Sequence, residues 1–419
     1  MKKIISVVFL TLMVVSLWAA GSRSTAASKI SFAAVNTTVL TPFEEIFNRY
    51  KSRAGIDVDI QTMPYEDQYI MTRFATKDYP DAFLWDPGTK QYTKFRIEEL
   101  YNWTGDPLFD KVLPATRQFQ TLNGEIYGVP WGGTNGIGVY YNKDVFAKAG
   151  VQPPNNYSDF INILTKIKAA GIDPIYEANN TGWPMQCFTL AGWPTYVDSA
   201  IGAQGVARLE INQLDLADIP ALQQLFQLYL DLGSQGFFQD NYRAGTFEEQ
   251  CEALGSGQVA MAFQIGTVIT TMIDMFGKDH INRTIGFFPL PSATDKGTAC
   301  LVPATQIMVP RNAGNAQGAV EMVRFMTEKE NLDLYYRYNT GIPVYQGVQS
   351  ELMDYMKTIA EFDNSGKAMV NVQNRLSSSF TDLVQILQVM QTDRDVRKAA
   401  QTLSDAYKRT GRARALPGF

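Results

Sequence analysis

Past its opening stretch, the chain alternates short β-patterned runs with amphipathic helical ones. KISFAAV reads as a strand, and TPFEEIFNRYKSRAG reads as a helix with Thr41 as N-cap, Pro42 at its first position and Gly55 just past its end. IDVDIQTM follows as a strand, EDQYIMTRFATKD as a helix, and DAFLWDP as a buried strand ending in polar and turn residues. Strands separated by helices of about 10 to 15 residues predict βαβ units, a largely parallel sheet and an α/β fold class. Ligands of such sheets sit beyond the carboxyl ends of the strands. That places Asn36 and Thr37 after the first strand, and Trp85 and Asp86 after the third, among the candidate contacts.

Further along, IGVYYNKD is a strand running into a capped helix start at Asn142, and PPNNYSDFINILTKIKAAG is a helix started at Ser158 or Asn156 and stopped by Gly171. ALQQLFQLYLDLG and TFEEQCEALGSG read as helices, QVAMAFQIG and QIMVP as strands, and FGKDHINRT as a polar loop. From Asn315 onward the pattern is mostly helical, and GRARALPGF reads as a frayed tail. No internal repeat recurs at a fixed period.

Composition narrows the class. With 419 residues, 45% of them hydrophobic, the chain has more apolar material than one core holds, which predicts two lobes. A net charge of −5 leaves no basic footprint for nucleic acid, so no nucleic acid partner is expected. MKK, the apolar IISVVFLTLMVVSLWAA and the small-residue Ser24-Thr25-Ala26 read as a cleavable signal peptide over residues 1–26, implying a periplasmic or extracellular protein. The competing reading, a membrane anchor, is weakened because the apolar run falls short of the ~20 residues of a comfortable span. Cys187, Cys251 and Cys300 are too few for a disulfide scaffold, although one bridge is possible. His280 is the sole histidine, so multi-histidine metal centres cannot be built. A surface or structural role is expected for it, and no cofactor or metal is expected.

GEIYGVP, YYNKDVFAKAGVQPP and the helix ending KAAGIDPI resemble the central signature of bacterial extracellular solute-binding proteins of the maltose-binding-like class, which serve carbohydrate ABC importers. SGQVAMAFQIG, FFPLP, NAQGAVEMVRFMTEKE and NTGIPV resemble later segments of that family in the family's order, so the likeness covers nearly the whole mature chain. The resemblance implies a two-lobe periplasmic-binding-protein fold, type II-like, with three hinge crossings near Trp131 to Gly138, Leu290 to Gly297 and Tyr338 to Ile342. One lobe would hold 28–134 and 293–337, the other 138–289 and 341–419. It further implies a monomer that captures a sugar or oligosaccharide in the interlobe cleft and presents it to the membrane permease subunits of an ABC transporter, without chemistry on the ligand. Many members carry an aromatic after the glycine that follows Ala-Met; here Gly266 is followed by Thr267, so Gln264 or Thr267 is expected to supply a polar contact instead.

The resemblance puts Trp131, in GVPWGGTNGIGVYYN, at the first crossing. Surrounding glycines would let the backbone change on lobe closure and leave the ring open as a platform for the C–H face of a pyranose. The alternative is a core tryptophan beside a flexible turn. Trp85 with Asp86, and Trp183 and Trp193 flanking a short second-lobe helix, are further ligand candidates; Trp103 is expected to be structural. Asn135 falls where relatives place a hydroxyl-binding group, Asn36, Thr37 and Glu66 come from first-lobe loops, and Phe380 opens a late helix that in some relatives brings an aromatic to the cleft. Asp81 reads as a structural cap. Two other functions compete. A secreted glycoside hydrolase would need paired carboxylates about 5 to 9 Å apart, for which no motif stands at consecutive strand ends. A metal or small-anion receptor could use Tyr140-Tyr141 or Tyr335-Tyr336, but core packing explains both pairs more simply.

Overall fold

The computed structural model describes residues 29–419 apart from 36, 37, 39, 65, 66, 339, 340, 349, 379 and 381. The expected signal peptide and three candidate contacts, Asn36, Thr37 and Glu66, lie outside the described residues. In chain order the strands are β1 (Lys29–Val35), β2 (Asp57–Met63), β3 (Ala82–Trp85), β4 (Thr121–Leu122), β5 (Glu125–Ile126), β6 (Val129–Trp131) and β7 (Gly133–Asn142). They continue with β8 (Asp173–Ile175), β9 (Val259–Ile265), β10 (Ile285–Phe288), β11 (Ala299–Val302), β12 (Thr305–Met308), β13 (Ile342–Pro343) and β14 (Ala368–Val370).

Two sheets organise the molecule. The first runs β2-β1-β3-β12-β6, with β1 parallel to β2 and β3, and β12 antiparallel to β3 and β6. The second runs β14-β11-β7-β9-β8, with β10 and β13 also paired to β7. The predicted α/β class holds, but the expectation of a largely parallel sheet does not. Segments that return from one sheet to the other enter antiparallel, and the ten-residue β7 collects antiparallel partners β9, β10, β11 and β13.

Local sequence explains the layers. On the helix Thr41–Ala54, Phe43, Ile46, Phe47 and Tyr50 are buried, a spacing of three, one and three that forms one apolar stripe against the first sheet. Gly55 ends it in the left-handed conformation (φ 71°), its N–H donating to Lys51 O. Thr41 is the first helical residue rather than the cap, because Leu40 holds that position without a side-chain bond. Asn142 caps the helix Lys143–Lys148 by accepting from the Asp144 and Val145 N–H groups, and Asn156, not Ser158, caps Tyr157–Ala169. Asp81 is structural as expected: its carboxylate accepts from Ser31 N and Oγ and from Asn315 N, clamping β1 to the start of the helix Ala316–Met326.

The passages between sheets differ from expectation at two points. The first is at Gly132 (φ 84°), between β6 and β7. The second lies between β11 and β12, at Pro303 and Ala304, because the 290–297 loop is fastened to the second sheet's helices. Thr195 Oγ1 donates to Leu290 O (3.1 Å), Tyr196 OH to Pro291 O (2.8 Å), and Lys367 pairs with Asp295 (2.9 Å). The third passage follows β13: Val344 and Tyr345 still pack in the first sheet's core, with Tyr345 OH donating to Pro130 O (2.6 Å), whereas Met353 belongs to the second.

Two smaller expectations are corrected, and the open point of a disulfide is answered. FGKDHINRT contains a helix, Lys278–Thr284, in which His280 stacks on Phe276 (5.6 Å) and places Nε2 2.9 Å from Gly255 O. The tail is fastened: the Phe419 ring meets Tyr407 at 5.4 Å. All three cysteines are buried and free. Among the described residues no helix is long and apolar enough to cross a membrane.

Candidate functional site

The two halves meet at the carboxyl end of β3. There the chain turns through Asp86, Pro87 and Gly88, held from below by the fully buried Gln306 of β12, whose Nε2 donates to Asp86 O (2.8 Å) and Gly88 O (3.2 Å). Gly88 has φ 92°, and a Cβ there would lie 2.8 Å from Phe119 Cζ and 3.5 Å from Asn374 O. The positive φ and the Phe119 ring of the same half require glycine here, and the turn lies within van der Waals reach of Asn374 O in the opposing half.

Asn374 sits in the short helix Val372–Arg375, which Asn371 caps by accepting from Gln373 N (3.2 Å). Asn371 N in turn donates to Leu301 O at the end of β11 (2.7 Å), so this helix is tied to the second sheet. Gln373 Nε2 reaches Gln186 Oε1 at 3.2 Å. Gln186 opens the helix Gln186–Trp193 immediately after the turn Trp183–Met185. Asp86, Gln373, Asn374, Gln186 and Trp183 are all half-buried along one interlobe seam.

Trp183 meets Phe247 with ring centroids 5.1 Å apart. The loops carrying them are laced together: Asn179 N donates to Tyr242 O (3.3 Å), Asn180 N to Gly245 O (3.0 Å) and Phe247 N to Thr181 Oγ1 (2.9 Å). Phe247 begins a helix fixed by a capping box, in which Thr246 and Glu249 satisfy each other's backbone N–H groups. On β7, half-buried Asn135 leans over Gly266, where a Cβ would come 2.5 Å from Asn135 Cγ; its Oδ1 is buried and makes no hydrogen bond.

The structure places some sequence candidates along this seam and others inside the cores. Trp131 is 0% exposed, enclosed in the first sheet's core against Phe43 (5.7 Å) and Tyr335 (4.6 Å). The flanking glycines let strands cross behind the ring instead of opening a platform in front of it. Trp85 is buried edge-on against Phe95 (6.0 Å), so its strand-end position carries Asp86 to the seam and turns the indole inward. Trp193 and Phe380 are buried against each other (5.1 Å) in the second core. Gln264, also 0% exposed, donates to Gln250 Oε1 (2.8 Å) and accepts from Ile265 N (2.9 Å), so its polar atoms are consumed internally. Thr267 is exposed at the first turn of the helix Thr267–Phe276. Trp103 is core, against Tyr101 (4.8 Å), as expected, and Tyr140, Tyr335 and Tyr336 are likewise buried.

Gln186, Gln373, Asn374 and Phe247 were not read from the sequence. Only Phe247 had a usable signal, the T-x-x-E box around it; Gln186 and Gln373 meet across a separation of 187 in the chain, and Asn374 reaches Gly88 through tertiary packing. Behind the 179–183 loop, Glu177 is 3% exposed, and burial pushes its carboxyl up to about 8 although Tyr229 OH donates to it (3.0 Å).

The profile of the bacterial extracellular solute-binding protein family matches residues 34–332. An uncharacterized ABC transporter extracellular-binding protein of Pyrococcus horikoshii is 25% identical over 296 residues, covering 68% of this chain and 65% of that protein. The multiple sugar-binding protein of Streptococcus mutans is 21% identical over 299 residues, covering 71% and 70%. Among solved structures, the SBP RafE in complex with raffinose superposes with a TM-score of 0.79 at 18% identity, covering 91% of this chain and 99% of that one. Two sheets joined by three passages, with a polar seam between them, agree with the profile match: this chain belongs to the bacterial extracellular solute-binding protein family.

Proposed function

We propose that the protein captures a saccharide along the seam between its two lobes, outside the cytoplasm, and delivers it to the permease subunits of an ABC importer. The observation that carries this reading is the approach of the Asp86–Gly88 turn to Asn374, which brings half-buried polar groups of both lobes together. Membership of a solute-binding family, a sugar-binding relative and a structural neighbour described with raffinose support it. On this reading the lobes comprise 29–131 with 305–345, and 133–302 with 353–419. Asp86 and Asn135, with Gln186, Gln373 and Asn374, bond the hydroxyls, while the Trp183–Phe247 pair offers an apolar face to a ring. The protein acts as a monomer and leaves the ligand chemically unchanged.

A panel of mono- and oligosaccharides tested by thermal shift and calorimetry decides the matter. A true ligand at 100 times its Kd stabilises the folded state by about 2.7 kcal/mol. Alanine at Trp183 or Asp86 should weaken that ligand. Binding that ignores both positions, or tight binding of a peptide or metal with no response to any sugar, overturns the reading.

A further inference from the structure

The laced loops run on past the Trp183–Phe247 pair to a second feature. Four residues upstream in each loop, Asn179 and Arg243 face the helix Leu383–Asp393 and, with its Gln388, Gln391 and Thr392, line a hollow of about 180 Å³. Such a volume, below the several hundred Å³ of whole-ligand pockets, suits one functional group and its neighbours.

The polarity of the hollow is set from behind. Tyr229 OH donates to Glu177 (3.0 Å), Gln391 Nε2 donates to Tyr229 OH (2.9 Å), and Asn179 Nδ2 donates to Gln391 Oε1 (2.9 Å). Each amide spends one N–H in this relay, and with its NH₂ turned toward Gln391 the Asn179 carbonyl is left without a donor. Asn179 is 6% exposed and its Oδ1 has no hydrogen-bond partner. A buried acceptor left unmet costs about 1–3 kcal/mol, so the hollow calls for a donor. Arg243 supplies the opposite character: its guanidinium carbon lies 5.7 Å from the Tyr242 ring centroid, and among the described residues it forms no ion pair. The one carboxyl in the relay, Glu177, is pushed up to about 8 by burial and is mostly uncharged at neutral pH, so it does not oppose an anion beside Arg243. Asp240 in the same loop is exposed to solvent.

An acceptor and a guanidinium in one small hollow match an anion that carries its own hydroxyl. We propose that the hollow takes the carboxylate of an acidic saccharide of the uronic acid class, with Arg243 on the carboxylate and Asn179 Oδ1 accepting from the adjoining hydroxyl. This rests on the saccharide reading above and adds the charge of the ligand to it.

The test uses the full protein and calorimetry with oligosaccharides of two to four units, in pairs with and without a terminal uronic acid, and lactate as a hydroxycarboxylate without a ring. The acidic member of a pair should bind about ten- to a hundredfold more tightly, the range of hydrogen bonds to a charged group, and the margin should shrink with salt. Arg243→Gln should erase that margin and Arg243→Lys restore only part of it, since Lys lacks the planar fork. Because Arg243 is exposed, neither change threatens folding. Equal binding of the two members, preference for the neutral one, or a margin that survives Arg243→Gln overturns the inference while leaving the saccharide reading intact. Binding of lactate alone, or of no saccharide, sinks both.

Discussion

Replacing Trp131 with alanine separates a core ring from a sugar platform. The side chain is fully buried and packed against Phe43 and Tyr335. An aromatic of this size buries up to about 250 Å², which at ~25 cal/mol per Å² gives an upper bound near 6 kcal/mol. Part of that is retained by the alanine methyl and by collapse of neighbours, so the expected loss is about 3–5 kcal/mol, the range of Trp→Ala changes in cores. The ring nitrogen has no hydrogen-bond partner, so Trp131→Phe should cost markedly less. Urea unfolding of the ligand-free variants, followed by fluorescence and by far-ultraviolet dichroism, measures both. At saturating ligand the alanine variant, where folded, should keep affinity within about threefold, because no face of the ring is exposed to the seam. A stability change under ~1 kcal/mol with affinity reduced a hundredfold or more would refute the argument and restore the stacking role.

Two further expectations concern backbone and charge. At the interlobe crossing, β7 meets the segment leading into β13, and a Cβ at Gly133 would lie 2.6 Å from Gly341 Cα; Gly341 returns the same clash. Gly133→Ala should therefore destabilise by about 1–3 kcal/mol through overpacking, read by denaturant midpoint, while Gly105→Ala tests a positive-φ glycine with open space around it. A silent Gly133→Ala would show that the crossing yields freely. Glu177 has its folded pKa raised from 4.5 to about 8, chiefly by burial. The unfolded chain then releases a proton that the folded one keeps, so stability falls as pH rises from about 4.5 to about 8, by up to ~1.4 kcal/mol per unit, and levels off above. Glu177→Gln should remove that slope in stability measured at stepped pH; an unchanged slope would place the titrating group elsewhere.

Sequence alone determined whatever depends on neighbours within a few residues. The caps at Asn142 and Asn156, the stop at Gly55 and the apolar stripe Phe43-Ile46-Phe47-Tyr50 follow from rules with a reach of one helical turn. The succession of strands and helices, the two-core expectation and the family resemblance followed from the same local patterns laid end to end. Whether a tryptophan faces a cleft or a core is not of that kind. Glycines beside Trp131 permit an open ring and equally permit a second strand at van der Waals distance; the approach of Gly341 to Gly133 and the place of Tyr335 over the indole decided it. Likewise Trp85 and Trp193 obey strand and helix periods that bury them, while Asp86 escapes because the turn at Gly88 carries it outward. Gln373 meets Gln186 across most of the second lobe's chain, and Asn179 is left with an unpartnered carbonyl because Gln391, held through Tyr229 by Glu177, fixes the direction of its amide. Hydrogen-bond partnership and burial are properties of the assembled packing, so the direction in which a polar or aromatic side chain points was settled there.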